Sequence, residues 1–183
     1  MLASFMGRMP QVPDSCFISE AAYIMGDVHF GEGCSVWPGA VIRGDTPGGE
    51  HGSRMTIGAD SHFEDNTTVH FTKQIGNRVV LGHGAVVEAY SIGDNVLIGD
   101  NATVLAYSTI GNNCIIAAGS MVKEGMKIPD NSFVTGSPAR IKAPITPKQL
   151  EMLDELLSFM PPLIAEHKRS RESQVRKRRT GEP

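Results

Sequence analysis

The chain has 183 residues, 40% of them hydrophobic and 20% charged, with 17 Lys+Arg against 20 Asp+Glu and a formal net charge of -3. That composition supplies one domain with a buried core and excludes a disordered chain. No stretch approaches the length of apolar sequence a membrane-spanning helix needs, and the N-terminus lacks the sustained apolar run of a signal peptide.

Residues 1–13 are a lead-in without a repeat. From residue 14 to 142 the pattern changes. Aliphatic and aromatic residues recur every six positions: Ile18, Ile24, Phe30, Val36 and Ile42, then Ile57, Phe63, Val69, Ile75, Leu81 and Val87. After one missing residue the series resumes at Ile92 and runs through Ile98, Val104, Ile110, Ile116, Val122 and Ile128 to Val134. The next residue is often Gly. A six-residue period is neither helical nor simple strand alternation. It fits a short strand plus a tight turn, with three such units closing one coil of eighteen residues. The aliphatic residue points inward, the Gly or Asn of the turn takes positive φ, and stacked coils pair in parallel roughly 4.8 Å apart. Such a solenoid buries its apolar stack only against its own neighbours. The predicted fold is all-β, a parallel β-helix with a C-terminal α-helix.

The period fails between Ile42 and Ile57, so residues 46–55 form a polar, Gly-rich excursion from one corner. His51 sits at its middle, either simply solvated or placed to reach an adjacent site. The three cysteines, Cys16, Cys34 and Cys114, form no CxxC and read as reduced thiols, which places the protein in the cytoplasm. After the repeat, Thr146 reads as a helix N-cap, with Pro147 at the first helical position and Gln149 completing a capping box. Leu150, Leu153, Leu156 and Leu157 give that helix, within 143–165, one apolar stripe. Met160-Pro161-Pro162 is expected to break it. Residues 166–183 hold 7 basic and 3 acidic side chains and read as a flexible tail. The acidic body repels nucleic acid, and no nucleic-acid or membrane partner is expected.

His70 and Glu88 each follow an inward valine, eighteen residues apart, so they stack on one corner about 5 Å from each other. The pair either shares a cation or makes a surface hydrogen bond. His83 sits near a different corner and cannot point the same way as His70 within one chain. A neighbouring subunit could bring its own His83 to the pair. Arg43 is placed to pair with Asp45 or Asp65, or to bridge to another chain.

The segments Trp37-Pro38-Gly39-Ala40-Val41-Ile42-Arg43-Gly44-Asp45, Glu64-Asp65-Asn66-Thr67-Thr68-Val69-His70, Gly82-His83-Gly84-Ala85-Val86-Val87-Glu88 and Gly136-Ser137-Pro138-Ala139-Arg140 carry a resemblance. In that order, over roughly residues 14–160, the chain resembles the γ-class carbonic anhydrase-like proteins of the left-handed β-helix, hexapeptide-repeat superfamily. The resemblance implies a homotrimer with zinc sites between subunits and reversible hydration of CO2 to bicarbonate by metal-activated water. It maps metal ligands onto His70, Glu88 and the neighbouring chain's His83. Catalytic roles fall on Glu64 as proton acceptor, with Arg43, Asp45 and Asp65 around it and His51 as relay. Where the family has a third His and a Gln, this chain has Glu88 and Glu64, and the harder donor set also admits Fe or Co. Two alternatives stand beside this reading. One is acyltransferase or thioesterase chemistry on an acyl-CoA, with His70 or His83 as base. The other is a non-catalytic trimer.

Overall fold

A computed structural model describes residues 1–46 and 54–180, with the side chains of 172 and 174–180 left undescribed. The chain winds into a parallel β-helix with three faces of seven, six and eight strands. The first face holds Leu2–Ala3, Tyr23–Gly26, Val41–Gly44, Thr68–Val69, Val86–Val87, Thr103–Val104 and Met121–Val122. The second carries strands such as Met55–Ile57 and Gln74–Ile75, the third strands such as Ser35–Val36, His62–Phe63 and Val79–Leu81. Every six-residue position from Ile24 to Val134 is buried, and these residues form one continuous core. Backbone partners above the excursion lie eighteen residues apart, as in Ile57↔Ile75. Across the excursion they lie 27 apart, as in Phe30↔Ile57. The register on either side therefore accommodates nine extra residues. The single missing residue after Val87 shortens one coil to seventeen, as in Val87↔Val104.

The turn chemistry differs from expectation in one respect. Asn95, Asn101 and Asn113 do take positive φ, as predicted. The glycine directly after the inward residue does not, at Gly58, Gly76, Gly93 or Gly111. It is required for space: a Cβ on Gly76 would lie 2.5 Å from the Gly93 backbone in the next coil. Coils stacked this closely leave no room for a side chain there.

Three segments depart from the sequence reading. The lead-in is part of the solenoid, because Leu2–Ala3 pairs in parallel with Ile24 and Met25. The last strand, Arg140–Pro144, folds back antiparallel on Ser132–Thr135. The helix, α1 (Pro147–Thr180), is not broken at Pro161-Pro162 but continues for 34 residues, so the stretch expected to be a flexible tail is helical as far as Thr180. Its start is as predicted, with the Thr146 N–H donating to Gln149 Oε1 at 2.9 Å and the Gln149 N–H donating to Thr146 Oγ1 at 3.3 Å. Leu153 and Leu157 pack on Val80 of the third face, and Met160 and Ile164 pack on Phe17 and Trp37. Lys168 then donates to the Asp14 and Ser15 carbonyls, and Arg171 pairs with Glu20 at 3.0 Å. Among the described residues no helix is long and apolar enough to cross a membrane. The three cysteines are free and buried.

Candidate functional site

The chemistry-bearing side chains gather at the two corners that bound the first face. One corner follows its strands. Here Ile42 and Val69 are backbone partners, as are Val69 and Val87, so Arg43, His70 and Glu88 stack coil upon coil. The His70 N–H donates to the Val87 carbonyl at 3.0 Å, which fixes that register. Arg43 grips Asp45 through Nε and Nη2 at 3.2 and 2.6 Å. Of the two acidic partners open to Arg43, the structure therefore selects Asp45. Asp65 lies at the other corner.

His70 Nε2 stands 3.1 Å from Asp45 Oδ1, outside hydrogen-bond alignment, and that buried oxygen has no hydrogen-bond partner. Burial alone would raise the Asp45 pKa. The Arg43 hydrogen bond and charge, with the His70 ring, outweigh it and hold the carboxyl below its ordinary value. Asp45 is thus a fixed anion facing one ring nitrogen of His70. That placement sets a negative charge beside the imidazole and leaves its other nitrogen for a ligand.

The other corner precedes the strands. Here Glu64, His83 and Asp100 belong to three successive coils, held in register by bonds such as Asn101 N–H to the His83 carbonyl at 2.8 Å. His83 Nε2 lies 3.1 Å from Glu64 Oε2, and its Nδ1 lies 3.3 Å from Asp65 Oδ2. Burial pushes the Glu64 carboxyl above its ordinary pKa, although the nearby His83 pulls the other way. Among the described residues, Glu64, His83 and Asp100 form a group whose ligand atoms all lie within 4.8 Å of one another. Asp100 was not singled out from the sequence. Its signal was available: it follows Ile98 and Gly99 as His83 follows Leu81 and Gly82, one coil earlier.

The structure brings Arg43, Asp45, His70 and Glu88 together, and separately brings Glu64, Asp65 and His83 together. It does not bring the two groups to each other within the chain. The turn closed by the Thr67 N–H on the Glu64 carbonyl and the strand Thr68–Val69 separate Glu64 from His70, so the two stand at opposite edges of the first face. His51 lies outside the described residues.

Comparison with known proteins places these corners in context. The family model for bacterial transferase hexapeptide repeats (six repeats) matches residues 89–124. The chain is 42% identical over 142 residues to a probable carbonic anhydrase of Methanocaldococcus jannaschii, covering 75% of this chain and 86% of that protein. It is 29% identical over 164 residues to the mitochondrial γ carbonic anhydrase 2 of Arabidopsis thaliana, and spans 57% of that protein's length. Among solved structures, a hexapeptide transferase family protein from Anaplasma phagocytophilum superposes with a TM-score of 0.82 at 27% identity. The match covers 90% of this chain and 96% of that one.

Proposed function

This chain belongs to the γ-class carbonic anhydrase-like group of hexapeptide-repeat proteins, and we propose that it is a metal-dependent hydro-lyase interconverting CO2 and bicarbonate. The observation that carries the reading is the split of the ligand-type residues between two edges of one face. His70 and Glu88 offer a nitrogen and a carboxylate from one corner. His83, already converged with carboxylate oxygens, offers a second nitrogen from the other. A neighbouring copy of the chain completes the site by laying its His83 corner against the His70 corner, as in a homotrimer. The donors suit a zinc-class divalent ion, with Fe or Co as the harder options. When bound, such an ion acidifies a water, and less strongly with a carboxylate among the ligands than with neutral imidazoles alone.

The chain's own groups do the remaining work. Asp45, pinned by Arg43, sets a fixed negative charge beside His70. Glu64 is partly buried with a raised pKa, so it accepts a proton near the nucleophile and passes it on. Asp65 holds the second nitrogen of His83. The free thiols fit a reducing compartment such as the cytoplasm.

The test is metal content and CO2 hydration of untagged protein, wild type against His70→Ala/His83→Ala. About one ion per chain and alkaline-favoured hydration, both lost in the variant, are expected for a site of this kind. A wild type that takes up neither zinc nor iron would end the metal reading. A second reading, acyl-group chemistry on a CoA ester, is favoured by a sizeable pocket beside Glu88. Acetyl-CoA binding by metal-free protein would favour it over the first.

A further inference from the structure

Where the first and second faces meet, the corner opens beside the His70–Glu88 stack into a pocket of about 290 Å3. A water takes about 30 Å3 in the liquid, so the pocket has room for far more than a molecule of three or four heavy atoms. Phe71, Tyr107 and Met55 supply its apolar surface, and Arg43, Arg54, Lys73 and Glu88 its charged groups.

Two features show what it suits. Phe71 and Tyr107 are 50% and 58% exposed, and both hold the left-handed backbone, with φ of 58° and 59°. At most other corners that conformation falls to Asn, Asp or Gly, as at Asn66 and Asn131. A bulky ring there is strained as well as exposed, and strained side chains persist chiefly where function uses them. The second feature is charge. Arg43 is paired with Asp45, and Arg54 donates at 3.5 Å to Asp27, a carboxylate that Arg8 also holds, while Lys73 stands 5.9 Å over the Tyr90 ring. Three cations, two of them ion-paired, thus line the pocket against one lining carboxylate, Glu88. The pocket combines aromatic walls with a surplus of positive charge.

We propose that this pocket binds an organic monocarboxylate with an apolar body, its ring or short acyl chain against Phe71 and Tyr107 and its carboxylate toward Lys73 and Arg54. The proposal rests on reading this corner as the functional site and names the class of substrate, product or effector that site admits. It does not require the metal, because the groups that hold the ligand, Phe71, Tyr107, Lys73 and Arg54, are not proposed metal ligands, although Glu88 is shared with the metal site.

Calorimetric titration at fixed ionic strength tests it, with benzoate and octanoate as probes on both metal-stripped and zinc-loaded protein. Acetate lacks the apolar body, and benzamide and octanol lack the charge. Benzoate or octanoate is expected to bind about tenfold or more tightly than these controls, the factor that burying part of a ring or chain gives. Phe71→Asn and Tyr107→Asn should weaken binding about tenfold while the melting temperature holds or rises, because Asn accepts the left-handed turn. Lys73→Ala should bring benzoate down to the level of benzamide. Binding is expected in stripped protein as well as in loaded protein, so loss of the metal reading would leave this result standing. The proposal is overturned if neither carboxylate binds saturably. It is equally overturned if binding survives unchanged in Phe71→Asn and Lys73→Ala, or if Phe71 and Tyr107 prove to be sealed against a second copy of the chain.

Discussion

His62 points outward from the third face, yet it is 1% exposed. Its register neighbours are Ser35 and Val80, and Val80 carries Leu153 and Leu157 of α1. The Trp37 Nε1–H donates to Ser35 Oγ at 2.8 Å, and Ser35 Oγ shares a hydrogen bond with His62 Nδ1 at 2.8 Å. Burial disfavours the charged ring and pushes the His62 pKa down from 6.5 to about 4. The folded state therefore resists a proton that the unfolded state takes up. Stability from this group is complete above pH 6.5 and is lost as pH falls from there toward 4, at about 1.4 kcal/mol per unit and about 3 kcal/mol in all. Denaturant titrations between pH 7 and 4 should show that slope, and His62→Asn should flatten it. An unchanged slope in the variant would assign the acid sensitivity elsewhere. His62 is not marked by the six-residue period, which identifies only the inward positions. The contrary signal was the run of apolar outward residues on the same face, Phe17, Val80, Leu97 and Ile115, which marks a face that something covers. By contrast, the stacking of His70 and Glu88 was legible, because it depends only on an eighteen-residue spacing between two inward valines.

The covering element is α1, and its course shows where local rules give way to packing. Each interior proline removes a backbone donor and crowds the preceding turn, costing about 3 kcal/mol. Pro161 and Pro162 therefore read as a break. The helix survives because buried residues flank them: Met160 and Ile164 are 4% and 7% exposed against Phe17 and Trp37. Each such side chain contributes about 1.5–3 kcal/mol when fully buried. His167 then sets its ring edge-on to Trp37 at 4.9 Å, and Lys168 reaches the first coil. None of these partners is near the prolines in sequence, so propensity alone could not reveal them. The cap at Thr146 was legible for the opposite reason, since its partner Gln149 lies three residues away. Two substitutions with opposite signs follow. Leu157→Ala leaves a cavity over Val80 and should cost about 2–5 kcal/mol. Pro162→Ala restores a donor and should raise the melting temperature, by up to about 3 kcal/mol of stability. Thermal unfolding of both checks the account, and a destabilised Pro162→Ala would show that the prolines set a bend the docking requires.

At the scale of the whole molecule, the repeat makes a rigid prism whose faces have different fates. The third face is sheltered by α1. The first face is left open, with Val86 at 38% exposure between the two corners. A face that presents complementary halves of a site at its two edges, and cannot fold them onto each other, suits association with copies of itself. This placement also separates two metal arrangements that a simple deletion would confuse. One spans subunits and needs His70 from one chain and His83 from the next. The other lies within one chain, at Glu64, His83 and Asp100. Co-expression of His70→Ala and His83→Ala chains with different tags, followed by purification through both, distinguishes them. If the site spans subunits, each variant alone loses metal and activity. The mixed oligomer then recovers part of both, because some interfaces pair an intact His70 with an intact His83. If the ion sits within one chain, His70→Ala keeps its metal by itself and mixing restores nothing to the His83→Ala chains. Recovery in the mixture is expected, because the β-helix holds the two histidines at opposite edges of a stiff face, where only a second chain can close the gap.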